Sequence, residues 1–229
     1  MPADRAETCW SCGKPMSVAS FPLTLGSRTI VLRTTVCRAC GDPVPPQPSC
    51  VGRTSEWQRR CPPHYRRDLP PAMLARVWVR DVLDWQYGPE GLLVLGDTGA
   101  GKTWVIWRLL RRLLEEARNV VVLDAVSYRS GLAKAAREGE TETYVRRLSR
   151  VDVLYWDDFG QTHLSAAASE MLLHVVEQRT SQERPLLLTS QYKGNALELQ
   201  FERPEMGAAV RRRINDFCRV VIADATRAI

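Results

Sequence analysis

Short apolar runs alternate with helix-length amphipathic stretches from about residue 90 to the end of the chain. The first run is Gly91–Gly96 (GLLVLG); it is followed by Val120–Leu123, Val151–Trp156, Leu186–Leu188 and Val220–Ile222, each bounded by polar or turn residues. Runs of this length without polar alternation predict strands buried on both faces, and their alternation with helices predicts a parallel sheet between two helical layers. Between the first two runs, Val105, Leu109 and Leu113 form one stripe and Ile106, Leu110 and Leu114 a second beside it, predicting a helix to about Arg118. Before residue 70 the pattern differs. SRTIVLRTTV, bounded by Gly26 and Cys37, is rich in β-branched residues and predicts a strand of a small hairpin.

The turn after the first run is Gly96-Asp97-Thr98-Gly99-Ala100-Gly101-Lys102-Thr103, followed by Trp104 on the predicted helix. This G-x4-G-K-T loop lies in the strand, loop and helix context that a phosphate cradle requires. Its glycines let the backbone amides turn toward phosphates, and the helix N-terminus adds its dipole. Lys102 would reach the β- and γ-phosphates and Thr103 would ligate Mg²⁺. The run Val151–Trp156 ends on Asp157 and Asp158, placed to hold the Mg²⁺ shell and to polarise a water toward the γ-phosphate. The run Leu186–Leu188 ends on Thr189, Ser190 and Gln191, groups able to orient that water or a phosphate oxygen.

Two helical stretches between Leu123 and Val151 carry Tyr128, Arg129, Lys134, Tyr144, Arg146 and Arg147. Cations interleaved with aromatic faces suit single-stranded nucleic acid, and the same residues also fit a solvated helix face. A later amphipathic helix, with Met206, Val210, Ile214 and Phe217 apolar, carries Arg211, Arg212 and Arg213. One of these arginines could project into a neighbouring copy's nucleotide site, or all three could form a solvated basic turn.

The 229 residues are 45% hydrophobic with a net charge of +6, values of a soluble globular chain with neither long disorder nor a membrane span. The opening MPADRAETCW has no apolar h-region, so a cytoplasmic location is expected. The charge and the cysteines are uneven. Residues 1–70 hold ten Lys/Arg against five Asp/Glu, six of seven cysteines and ten of fourteen prolines. Cys9 and Cys12, and 24 residues later Cys37 and Cys40, form two C-x2-C pairs of the kind that hold one tetrahedral Zn²⁺, here favoured over disulfides. Cys50, Cys61 and His64 remain over; three ligands without a fourth fit packing better than a second metal. The expected organisation is a four-cysteine zinc-ribbon adaptor over 1–61, a linker and helix over 62–88, and a P-loop core over 89–229.

Taken together, GDTGAGKT, YWDDFG, VVEQRTSQERPLLLTSQ and VRRRI with the following RVVIAD resemble the DnaC-like helicase-loader ATPases and the closely similar IstB-like transposition helper ATPases. The resemblance covers roughly residues 62–229. It implies an α/β three-layer AAA+ core with a five-stranded parallel sheet. Lys102 and Thr103 then fall at Walker A, Asp157 and Asp158 at Walker B, Gln191 at or beside sensor 1, Arg213 at the arginine finger and Arg227 at a sensor 2 position. Asp158 stands where many AAA+ proteins have Glu, Gln191 where Asn is frequent, and no helical lid is expected. The resemblance implies ATP, Mg²⁺ and Zn²⁺ as cofactors, and slow ATP hydrolysis dependent on an oligomer or on DNA. The implied partners are a DnaB-like hexameric helicase, single-stranded DNA and further copies of the chain, with no membrane. Helicase loading stands first, transposition help second, and a P-loop kinase of a small metabolite is the alternative from another class.

Overall fold

The computed structural model describes residues 17–25, 28–36 and 43–44 as backbone strands and residues 56–224 in full. Contacts divide the chain into two units, residues 1–49 and 50–229. In the first, β1 (Ser17–Leu25) and β2 (Arg28–Val36) pair antiparallel from Ser17↔Val36 to Leu25↔Arg28, and β3 (Pro43–Val44) adds to β2. The strand expected in SRTIVLRTTV is therefore β2. Cys9, Cys12, Cys37, Cys40 and Cys50 lie outside the described residues.

The second unit is built on β4 (Gly91–Leu95), β5 (Val120–Leu123), β6 (Val153–Trp156), β7 (Leu186–Ser190) and β8 (Cys218–Ile222). They form one sheet in the order β5-β6-β7-β4-β8, with every pairing parallel. All five expected runs are strands. Several bounds differ from those expected: β4 ends at Leu95, β7 runs on to Ser190 and β8 begins at Cys218, and two further differences have a plain local reason. β6 starts at Val153 because the Val151 N–H still closes the preceding helix on Arg147 O and Asp152 is engaged by the Asn119 N–H. The helix after the phosphate loop stops at Glu115, three residues early, where Ala117 takes φ 62°.

Alternate residues of each strand face opposite layers, which explains why the runs are apolar throughout. Leu92, Val94, Val153, Tyr155 and Leu187 join one core cluster; Leu93, Leu154, Trp156, Leu186 and Leu188 join the other. The first layer contains α1 (Pro71–Leu74), α2 (Val77–Leu83) and α3 (Lys102–Glu115). Into the second pack α4 (Ala125–Glu138), α5 (Thr141–Arg150), α6 (Ala166–Ser181), α7 (Asn195–Glu198) and α8 (Pro204–Phe217). Trp57 and Cys61 are buried in the first layer, so residues 56–61 belong to this core even though their composition resembles the stretch before them. Cys61 is a packing cysteine there, its thiol pushed up by burial against the lowering pull of Arg66 and Arg108. Among the described residues no helix is long and apolar enough to cross a membrane.

Candidate active site

Because all five strands run the same way, the loops after β4, β6 and β7 converge at one edge of the sheet. β4 is flanked by β7 and β8, so the phosphate loop lies beside the end of β7. Gly96 leaves β4 against the next strand's continuation, where a Cβ would stand 2.6 Å from Ala223 O. At the other end of the loop, Gly101 takes φ 91° directly before α3, a left-handed conformation that glycine adopts without strain. Asp97, Thr98 and Gly99 are exposed between them, Ala100 is half-buried, and Trp104 packs on the outer side of α3.

Lys102 is almost wholly buried, and its Nζ donates to Gly96 O at 2.9 Å and Asp97 O at 3.0 Å. The ammonium thus sits inside the loop it would use to bind phosphate. Burial lowers its pKa, and the charges of Asp158, Asp157 and Asp97 oppose that shift. A phosphate would replace two neutral carbonyl partners by charged ones.

Asp157 is the most heavily tied acid of the site. Its Oδ1 accepts from Tyr155 OH at 2.5 Å, Thr189 Oγ1 at 2.6 Å and Thr103 Oγ1 at 2.9 Å. The residues expected to share Mg²⁺, Thr103 and Asp157, are therefore in direct contact. Their hard oxygens suit Mg²⁺, which the carboxylate and hydroxyl would hold beside the phosphates, supplying charge neutralisation there. Tyr155 went unnoticed in sequence because a tyrosine inside an apolar strand reads as core; it is indeed fully buried, and burial and Asp157 drive its pKa far up. Thr189, expected to face the water or a phosphate oxygen, spends its hydroxyl proton on Asp157.

Asp158 turns out of the strand with φ 47°, and its N–H donates to Thr189 Oγ1 at 2.9 Å. Aspartate tolerates this left-handed region better than most residues. Burial first, and then the neighbouring Asp157, raise its pKa, while Lys102 pulls it back. Across the cleft, Thr98 Oγ1 donates to Gln191 Oε1 at 2.5 Å, joining the phosphate loop to the end of β7. Seven of the expected site residues, Asp97, Thr98, Lys102, Thr103, Asp157, Asp158 and Gln191, thus gather at one edge. Among the described residues no group of three or more His, Cys, Asp or Glu forms a metal cluster.

The other expectations fare differently. Tyr128 is fully buried, with its ring 4.9 Å from that of Trp156 and its hydroxyl donating to Ala168 O at 2.9 Å. It offers no face to a base, because α4 packs that side against β6 and α6. Tyr144 is half-buried, with its hydroxyl donating to Tyr128 O at 3.4 Å, so the expected aromatic interleaving is largely spent on packing. Arg129, Lys134, Arg146 and Arg147 are exposed; Lys134 pairs with Glu138 and Arg146 with Glu142 across one helical turn. Arg213 pairs with Glu177 of α6 at 3.2 Å and Arg211 with Glu198 at 2.7 Å, leaving Arg212 as the exposed member of the triplet. Arg227 lies outside the described residues.

Residues 65–227 match the model of the IstB-like ATP binding protein family. An insertion-sequence ATP-binding protein of Sinorhizobium fredii is 28% identical over 134 residues, 58% of this chain and 51% of that one. The insertion sequence IS1162 ATP-binding protein of Pseudomonas fluorescens is 32% identical over 108 residues, 47% of this chain and 46% of that one. The matched region spans about half the length of these curated relatives. Among solved structures, the DnaC helicase loader superposes with a TM-score of 0.54 at 17% identity, covering 70% of this chain and 99% of that one. DnaI superposes with a TM-score of 0.55 at 19% identity, covering 68% and 87%. The fold is that of these proteins, and with its phosphate loop, paired aspartates and Thr189–Gln191 strand end set on that fold, the chain belongs to the IstB-like ATP-binding family.

Proposed function

We propose that this protein is an ATP-hydrolysing switch that serves the DNA transactions of an insertion sequence. The observation that carries the ATPase part is the contact of Thr103 with Asp157, itself held by Tyr155 and Thr189. Such a prearranged pair would hold Mg²⁺ with little reorganisation. Lys102 would exchange its loop carbonyls for the β- and γ-phosphates, Asp158 would take the proton of the attacking water, and Gln191 would orient that water. Arg213 of a neighbouring copy would exchange Glu177 for the transferring phosphoryl group, which makes hydrolysis dependent on assembly. The names of the sequence relatives support the insertion-sequence part.

Loading of a replicative helicase onto single-stranded DNA is the second reading. It is favoured by the fold match that takes in nearly all of the DnaC helicase loader. Sequence motifs alone put it first; the insertion-sequence relatives reverse that order. In either reading the Cys9, Cys12, Cys37 and Cys40 thiolates would hold one structural Zn²⁺ in a basic adaptor that docks the partner, and exposed Arg129, Lys134, Arg146 and Arg147 would meet nucleic-acid phosphates. The deciding experiment is a pull-down by the full chain, with and without ATP, offered the transposase of its own insertion sequence and the cognate hexameric helicase. ATP-dependent recovery of the transposase is expected. Recovery of the helicase alone moves the assignment to the second reading.

Asp158→Asn tests the general base. ATP turnover should fall by about 10²–10³-fold with ATP affinity retained, the usual scale for losing a positioned base. Because burial raises the Asp158 pKa, its ionisation at neutral pH opposes folding, so the variant should melt at or above the wild-type temperature. That advantage should disappear as the pH falls through the raised pKa toward the unfolded value, since the wild-type carboxyl is then also neutral. Unchanged turnover would remove Asp158 from the mechanism.

A further inference from the structure

Among the described residues other than glycine, Ala117, Asp158 and Glu183 take a left-handed backbone, and of these Asp158 is the one at the nucleotide site. A residue with a side chain stays in that region only where its surroundings hold it there. For Asp158 the hold comes from the end of β7. Thr189 is fully buried, and its Oγ1 donates to Asp157 Oδ1 at 2.6 Å and accepts from the Asp158 N–H at 2.9 Å. Its carbonyl accepts from the Phe159 N–H at 2.7 Å. One residue thus engages three consecutive residues of the turn that leaves β6. Ser190, the next residue, adds a hydroxyl that donates to Phe159 O at 2.6 Å.

The two bonds of the Thr189 hydroxyl are not equivalent. Asp157 Oδ1 also accepts from Tyr155 and Thr103, so that carboxylate keeps two donors without Thr189. The Asp158 N–H, by contrast, has Thr189 Oγ1 as its acceptor. A threonine hydroxyl has one proton, and here Asp157 takes it, which leaves a lone pair for the amide. Nothing remains with which the buried hydroxyl could donate to a water or a phosphate. Its influence on the reaction must pass through the direction in which Asp158 leaves the turn.

We infer that Thr189 is a positioning residue for the base: its hydroxyl fixes the left-handed turn that aims the Asp158 carboxylate, while the pair Thr103 and Asp157 stands without it. This rests on the reading of Asp158 as the group that takes the proton of the attacking water. Loss of the hydroxyl therefore costs turnover and spares nucleotide binding. Thr189 itself takes no part in bond breaking.

The test compares the full-length wild type with Thr189→Val, which keeps the shape without the hydroxyl, and Thr189→Ser, which keeps the hydroxyl. Turnover of the valine variant should fall about 10- to 100-fold, the scale for a base moved out of line by up to about 1 Å, and the serine variant should stay near the wild-type rate. Calorimetry with a non-hydrolysable ATP analogue in Mg²⁺ should give both variants wild-type affinity. A loss of affinity as large as the loss of turnover overturns the inference and makes Thr189 a support of the metal pair. In an Asp158→Asn background the valine substitution should lower turnover no further than about 2-fold, and a full additive loss overturns the route through Asp158. Wild-type turnover in Thr189→Val, or an equal loss in Thr189→Ser, overturns it as well. Should the valine variant not fold, Thr189→Cys, whose thiol is a weaker donor and acceptor, takes its place with the same expected signs. If Asp158→Asn alone leaves turnover unchanged, the reading of Asp158 as the base falls, a result separate from failure of Thr189 alone.

Discussion

Lys102→Ala should weaken ATP binding by at least about 100-fold. The ammonium is buried at the loop with only the carbonyls of Gly96 and Asp97 as direct partners, so it arrives at the phosphates already oriented and largely desolvated. Charge-assisted hydrogen bonds contribute about 1.5–3 kcal/mol each, and losing two corresponds to roughly 10²–10⁴ in affinity. The substitution also leaves two carbonyls without their donor. Lys102→Met, which preserves most of the buried stem, therefore serves as the companion variant. Both should fold by circular dichroism and both should show little or no heat on titration with ATP. Near wild-type affinity in either would remove the phosphate-loop assignment.

The second large effect lies in the core, well away from any phosphate. Arg179, near the end of α6, is fully buried, and its guanidinium donates to Leu148 O at 2.8 Å, Val151 O at 2.9 Å, Asp152 O at 3.2 Å and Pro185 O at 2.5 Å. These carbonyls are the end of α5, the turn into β6 and the entry to β7. One side chain thus satisfies the acceptors that a helix end leaves open and ties two neighbouring strands to the helix covering them. Burial pulls the Arg179 pKa down to about 9, with the nearby Arg184 adding to the shift. Arg179→Met fills similar volume but orphans several buried carbonyls, at about 1–3 kcal/mol for each that water cannot reach. The expected loss is about 3–5 kcal/mol, or a drop of about 10 °C in melting temperature for a domain of this size. A melting point within a degree of the wild type would show that water replaces the guanidinium. Because β6 and β7 carry Asp157 and Gln191, residual ATP affinity in the folded fraction should fall as well.

Membership of the IstB-like ATP-binding family ranks the metabolite-kinase alternative below the other two readings. The phosphate loop and its flanks were legible because their chemistry is local: glycines at set intervals, a lysine and a threonine between a strand and a helix. The two aspartates were legible because they follow a buried run directly. Tyr128 was misread for a physical reason. On a helix the same residue serves a solvent face or a core face depending on which neighbours pack there, and here Trp156 and Ala168 receive it. Arg179 stands in the sequence only as one letter of VVEQRTSQERPLLLTSQ, and nothing in that segment shows that its charge is turned inward against backbone carbonyls.

By itself the chain's sequence determined the alternation of buried strands and helices, and with it the sheet class, the phosphate loop and the pair of carboxylates, because each depends on residues adjacent in the chain. Only the tertiary structure decided the order β5-β6-β7-β4-β8, which sets Thr189 and Gln191 beside Asp157 and Thr98 from 32 and 93 residues away. It also decided that Trp57 and Arg67, which precede the first strand of this sheet, meet Trp107 and Trp104 of α3. Contacts across such separations arise from packing of the two layers on the sheet, and no local pattern of residue types specifies them.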